Sequence, residues 1–130
     1  MAGGYTAIDL ADAETERSGK SGTPTTYLTD LLGTTEVRAT VRRLPPGQAM
    51  PYHHQDRQEE LYLLLSGRGS MVVDGERLDP APHTIVRVAP ETPRQLFNAG
   101  PGEAAWLVVG APPVEDDGTV IGPGPAAELV

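Results

Sequence analysis

The sequence predicts an all-β protein of many short strands joined by tight turns, with few or no helices. Three observations lead there. The 130 residues include 15 glycines and 13 prolines, a proportion that suits many short strands joined by tight turns. No segment carries apolar residues at the helical period over a useful length. The runs YLLL, TIVRV and AWLVV supply buried apolar surface, which a merely disordered Gly/Pro-rich chain would lack. At 130 residues the chain is one domain, large enough to bury a core and too small for two ordinary ones.

Taken in order, Tyr5 to Leu10 reads as a first strand, and Ala11 to Thr25 as a polar, flexible stretch that wraps the surface. Residues 1–25 thus form an N-terminal segment, 26–111 the main strand-rich body and 112–130 a C-terminal arm. Tyr27 to Leu32 and Glu36 to Leu44 read as strands divided by Gly33, and Pro45-Pro46-Gly47 turns the chain. Asp74-Gly75 between two short apolar runs is a hairpin signal. Ala104 to Gly110 is a late strand. The remainder, PPVEDDGTVIGPGPAAELV, is rich in Pro, Gly and acid, with Val120-Ile121 its expected anchor.

Eighteen acidic against ten basic side chains give a net charge of −8, which makes nucleic acid and anionic membrane surfaces poor partners. Cysteine is absent, so any metal must take nitrogen and oxygen donors. The first thirty residues lack the charged start and apolar stretch of a signal peptide. The longest apolar run, Ala104 to Val109, is far short of the roughly 20 residues of a membrane helix. A cytoplasmic location is the expectation.

The most informative stretch runs from Gly47 to Gly67. Five residues separate Gly47 from His53, four separate Gln55 from Glu60, and six separate Glu60 from Gly67. Strand alternation points His53 and Gln55 one way and His54 the other. A bend then brings Glu60 into LYLLLS, an apolar run suited to a strand buried on both faces. Imidazole, amide and carboxylate at one interior spot make a first shell for a borderline divalent ion, with the amide as its weak member.

This spacing resembles the first motif of the cupin superfamily, a glycine, a His-x-His pair, a glutamate and a second glycine, with Gln55 in place of the second histidine. PHTIVRVAPETPRQLFNAG resembles the second motif. There Ala89-Pro90-Glu91-Thr92-Pro93 covers the proline turn, Arg94 takes the third histidine's position, Asn98 takes the asparagine, and His83 and Glu91 stand where the family has glycine. The resemblance, with the alternation within each strand, implies a single antiparallel jelly-roll β-barrel over residues 26–111 with metal ligands His53, Gln55 and Glu60. The ion would be zinc, iron, nickel or manganese, weakly bound. Asn98 is expected to be a structural hydrogen-bonding residue and His83 a turn residue.

Arginine cannot deprotonate to become a ligand. Arg94 therefore either repels the ion and pairs with Glu60, or turns its donors toward an anionic ligand held together with Glu60 and His53. The expected function is binding of a small anionic molecule in the barrel. One version is a metal-dependent oxygenase, isomerase or lyase; the alternatives are a metal-free ligand-binding or acid/base protein and a sensory barrel without catalysis. Because the N-terminal strand and C-terminal arm lack partners in a minimal barrel, a homodimer is expected.

Overall fold

The computed structural model describes residues 4–19 and 21–129; residues 1–3 and Lys20 of the N-terminal segment and Val130 of the arm lie outside the described residues. In chain order the strands are β1 (Glu16–Arg17), β2 (Pro24–Tyr27), β3 (Arg38–Leu44), β4 (Tyr52–Gln55), β5 (Glu59–Ser66), β6 (Ser70–Val73), β7 (Glu76–Leu78), β8 (Ile85–Val88), β9 (Arg94–Phe97), β10 (Ala104–Ala111) and β11 (Gly118–Gly122). They form two antiparallel sheets, ordered β1-β2-β3-β10-β5-β8 and β11-β4-β9-β6-β7. The architecture is the all-β jelly-roll barrel expected from the sequence.

Alternation along each strand sorts side chains into an interior and two outer layers. Leu44, Tyr62, Leu64, Met71, Val88, Leu96, Trp106 and Val108 fill the interior between the sheets. On the outer face of the first sheet, Ala39, Val41, Leu65, Leu107 and Val109 pack under Leu10, Leu28 and Leu32. The apolar run of β5 is thereby explained, since Tyr62 and Leu64 face inward and Leu65 faces the outer cluster. Leu61 and Ile85, near the β8 edge, stay exposed. Asp74 and Gly75 both take left-handed φ, 51° and 80°, as a two-residue hairpin between β6 and β7 requires.

Several expectations are corrected. Ala11 to Thr25, expected as a flexible surface stretch, contains β1 and the start of β2, which pair with each other, and Thr23 and Thr25 are fully buried. Tyr5 to Leu10 is not a strand; it leads into a short 3-10 turn at Leu10–Asp12, capped by the Asp9 side chain accepting from the Ala11 N–H. Of the strand expected over Tyr27 to Leu32, only Tyr27, the last residue of β2, lies in a sheet. Leu28–Leu32 is one helical turn, α1, closed by Gly33 at φ 72°. Leu28 and Leu32 sit four apart, so a single turn aims both at the outer cluster, and the Ala39 N–H donates to Thr29 Oγ1 at 2.8 Å, fixing the turn to β3.

A further correction concerns the arm expected at 112–130, whose described residues are built into the barrel. β11 pairs with β4, and the Arg57 and Gln58 N–H groups donate to Asp117 Oδ2 at 2.9 and 2.8 Å. Farther on, Gln95 Nε2 donates to the Pro123 carbonyl, and Gln95 Oε1 accepts from the Ala126 N–H at 3.0 Å. Ala126 and Leu129 pack with Val72 and Phe97 on the outer face of the second sheet. The anchors are therefore Asp117 and Ala126, while Val120 and Ile121 are exposed.

Candidate functional site

Where the apolar interior ends, a cavity of about 410 Å³ begins. Its walls come from β3, β4, β5 and β10, and its rim from Ser18, Gly19 and Ser21 near one end of the chain and Val114, Asp116, Asp117, Gly118 and Val120 near the other. Exposed Asp116, Gly118 and Val120 on that rim open it to solvent. Met50, Leu96 and Val108 line it with apolar surface; Arg42, His53, Gln55, Glu60 and Tyr62 line it with polar groups.

His53 and Gln55 both face this cavity, as alternation predicts. His54 faces outward, its Nδ1 3.4 Å from the Asp56 carboxylate. His53 Nδ1 lies 3.0 Å from the Pro51 carbonyl. A carbonyl only accepts, so Nδ1 carries the proton and Nε2 is the open acceptor. Burial lowers the His53 pKa from its ordinary value, and Arg94 and Arg42 add to that against the Pro51 carbonyl and Glu60. Gln55 is turned sideways: its Nε2 donates to Gln58 Oε1 at 2.9 Å, and Gln58 Nε2 donates to the Pro112 carbonyl.

Glu60 and Arg94 are brought together. Arg94 is fully buried, and its Nη2 stands 3.2 Å from Glu60 Oε1, within ion-pair distance yet off the axis of a hydrogen bond. Its Nη1 donates to the Thr92 carbonyl at 2.7 Å and its Nε to Tyr62 Oη at 3.4 Å. The Tyr62 hydroxyl in turn donates to Glu60 Oε1 at 2.7 Å. Burial, reinforced by Glu60, pushes the Tyr62 phenol well above its ordinary pKa, so it remains a donor. Arg94 thus sits behind Glu60 and Tyr62 and is not part of the cavity wall.

Several participants were missed in the sequence. Tyr62 follows Glu60 by two residues on one strand and so shares its face. Arg42 belongs to the series Arg38, Thr40, Arg42, opposite in phase to apolar Ala39 and Val41 on β3; that alternation was a usable signal. Arg42 Nη1 donates to Thr25 Oγ1 at 3.0 Å. Burial lowers its pKa, opposed by Tyr27, Tyr62 and Glu60, and a guanidinium remains cationic under such shifts. Asp117, which anchors the rim, carried no sequence signal beyond its acid type.

The donor set does not fit a resident divalent ion. One of the two Glu60 oxygens is engaged by Tyr62 and faced by a permanent cation. The Gln55 amide is committed to Gln58, and among the described residues no three His, Cys, Asp or Glu side chains converge. Such a site needs three good donors and no adjacent fixed positive charge.

The scaffold positions match the remaining motif residues. Asn98 Nδ2 donates to the Leu44 and Gly102 carbonyls, and its Oδ1 accepts from Gly100 N–H, the structural role expected of it. His83 and Glu91 have φ of 75° and 65°, left-handed values that explain glycine as the residue resembled at both places.

Comparison with known proteins places these features in context. An uncharacterized protein of Methanocaldococcus jannaschii is 30% identical over 78 residues, 60% of this chain, which spans 62% of that relative's length. Among solved structures, a cupin protein from Bacteroides fragilis is similar with a TM-score of 0.69 and 24% identity, covering 95% of this chain and 98% of that one. The polyketide cyclase RemF from Streptomyces resistomycificus is similar with a TM-score of 0.78 and 17% identity, covering 94% and 89%; at such identities the likeness is one of fold. The model of the cupin domain family matches residues 40–110, from β3 through β10, and with both motif segments inside that match the chain belongs to the cupin domain family.

Proposed function

We propose that this protein binds a small organic anion in the open half of its barrel, without a metal ion among His53, Gln55 and Glu60. The observation that carries the reading is the division of labour between two arginines. Arg94 is fully enclosed and committed to Glu60, Tyr62 and Thr92, whereas Arg42 lines the cavity beside His53 and Tyr62. A guanidinium in a partly desolvated wall is a strong site for a carboxylate or similar group. The anion-gripping role foreseen for Arg94 therefore passes to Arg42, with His53 Nε2 as a neighbouring acceptor. Apolar Met50, Leu96 and Val108 take up the ligand's carbon skeleton. A cyclase, a predicted oxalate decarboxylase and a sugar phosphate isomerase among the similar structures favour an enzyme as a second reading, in which His53 exchanges a proton with that anion.

Two measurements test the first reading. Small carboxylates should raise the thermal midpoint of the protein where neutral amides of the same shape do not, and Arg42→Met should abolish the effect. Elemental analysis after purification should find well under one equivalent of any transition metal, with Arg94→His raising the content. Near-stoichiometric metal in the unmodified protein, lost in His53→Ala, would sink the metal-free reading.

A further inference from the structure

The cavity contains a second cation whose placement specifies the ligand more narrowly. Arg38, Thr40 and Arg42 alternate with outward-facing Ala39 and Val41 on β3, and all three line the cavity. They form a straight row on one strand. Four residues of strand separate the two arginine Cα atoms by about 13 Å. Arg42 lies inside, held by Thr25, and Arg38 lies at the rim with its side chain 39% exposed.

Arg38 has a weak present partner. Its Nη1 is 3.8 Å from Glu115 Oε1, and the Glu115 side chain is 82% exposed. An ion pair of that length between solvated groups contributes little, so an incoming anion can replace Glu115 at small loss. The acids that line the cavity itself are engaged. Glu60 faces Arg94 and Tyr62, Asp117 accepts from two backbone N–H groups, and Asp116 also has a partner. The hydroxyl of Thr40 and the apolar side chains of Met50, Leu96 and Val108 share the lining with the two cations.

Building on the anion-binding reading of the same cavity, we infer that the ligand is an elongated molecule with an anionic group at each end and a largely apolar middle. Arg42 holds the inner end and Arg38 the outer end in place of Glu115. Because the spacing of two residues on one strand is fixed by the backbone, the row acts as a ruler: affinity should depend on ligand length as well as charge.

The test is calorimetric titration with straight-chain dicarboxylates from pentanedioate to decanedioate, against monocarboxylates of equal carbon number, on the unmodified protein and on Arg38→Gln and Arg42→Gln variants. One intermediate dicarboxylate should bind about fivefold tighter than its monocarboxylate counterpart, the upper worth of a second partly exposed charge contact. Arg38→Gln should erase that difference and leave monocarboxylate affinity within about twofold, since it touches only the outer end. Arg42→Gln should weaken both series. Equal binding of mono- and dicarboxylates, no preferred length, or an Arg38→Gln variant that keeps the preference would overturn the inference while leaving the anion-binding reading standing. Binding of neither series would overturn both.

Discussion

Replacing Glu60 by glutamine isolates the charge at the centre of the barrel. The amide keeps the shape of the carboxylate and still accepts from the Tyr62 hydroxyl, so the change is electrostatic. It leaves Arg94, fully buried with one Nη group lacking a hydrogen-bond partner, without its counter-charge. Breaking a buried pair by removing one member destabilises by about 3–5 kcal/mol. Glu60 is 12% exposed in its side chain, so water screens the vacated charge slightly and the lower end, about 3 kcal/mol, applies. Between the sensitivities of smaller and larger domains that is a fall in midpoint of about 10 °C. Urea unfolding should show it as a lower transition midpoint at constant slope. A double variant, Glu60→Leu with Arg94→Met, removes both charges and should recover much of the loss, because an apolar pair of similar volume avoids desolvation altogether. If Glu60→Gln lies within about 0.5 kcal/mol of the parent, or the double variant loses at least the sum of the singles, the pair is not the electrostatic centre described.

Other outcomes follow from the same geometry. Gly67→Ala should unfold the protein under mild heating, since φ is 84° and an added Cβ would overlap the Glu103 carbonyl oxygen; a near-native melting curve would contradict that packing. Asp117→Ala should destabilise by about 1–3 kcal/mol and speed hydrogen exchange at the Arg57 and Gln58 amides, which donate to it. For Asp117, burial alone would raise the carboxyl pKa, but N–H groups of Arg57, Gln58 and Asp56 outweigh it and hold the pKa below the ordinary value. The unfolded chain therefore binds that proton more readily, and stability present above about pH 4 is lost as the pH falls through the folded value; Asp117→Asn should flatten that limb. His53 is also depressed, so the unfolded state protonates first and stability should decline below about pH 6.5, a decline that His53→Gln should remove.

The sequence carried the barrel because its determinants are local. Period-two alternation placed His53 and Gln55 on one face and His54 on the other, Asp74-Gly75 announced its hairpin, and the motif spacing brought Glu60 and Arg94 into one interior. What stayed hidden depends on tertiary context. Leu28 to Leu32 is too short to show a helical period, and only Gly33 and the outer cluster decide its conformation. The acid-rich run at 115–117 looks like a solvated tail until the backbone N–H groups of residues 57 and 58, far away in sequence, are seen to face Asp117. Arg42 was readable in phase with Arg38 and Thr40, yet nothing in β3 alone reveals that this phase faces a cavity. Nor does a motif position say whether Arg94 stands in front of Glu60 or behind it.

The cavity is walled by residues as distant in sequence as Ser18 and Val120, which gives it a history as well as a shape. Each sheet can begin from neighbouring hairpins such as β6–β7, but the rim waits for β11, which follows every other strand in the chain and must reach back to β4. On a ribosome that has delivered residues only through Ala111, the part of the rim formed by Val114, Asp116, Asp117, Gly118 and Val120 does not exist, whatever the state of the sheets. Pairing of the first sheet and completion of the cavity are then separated in time, and a nascent chain can pair β3 with β10 before its cavity has a rim.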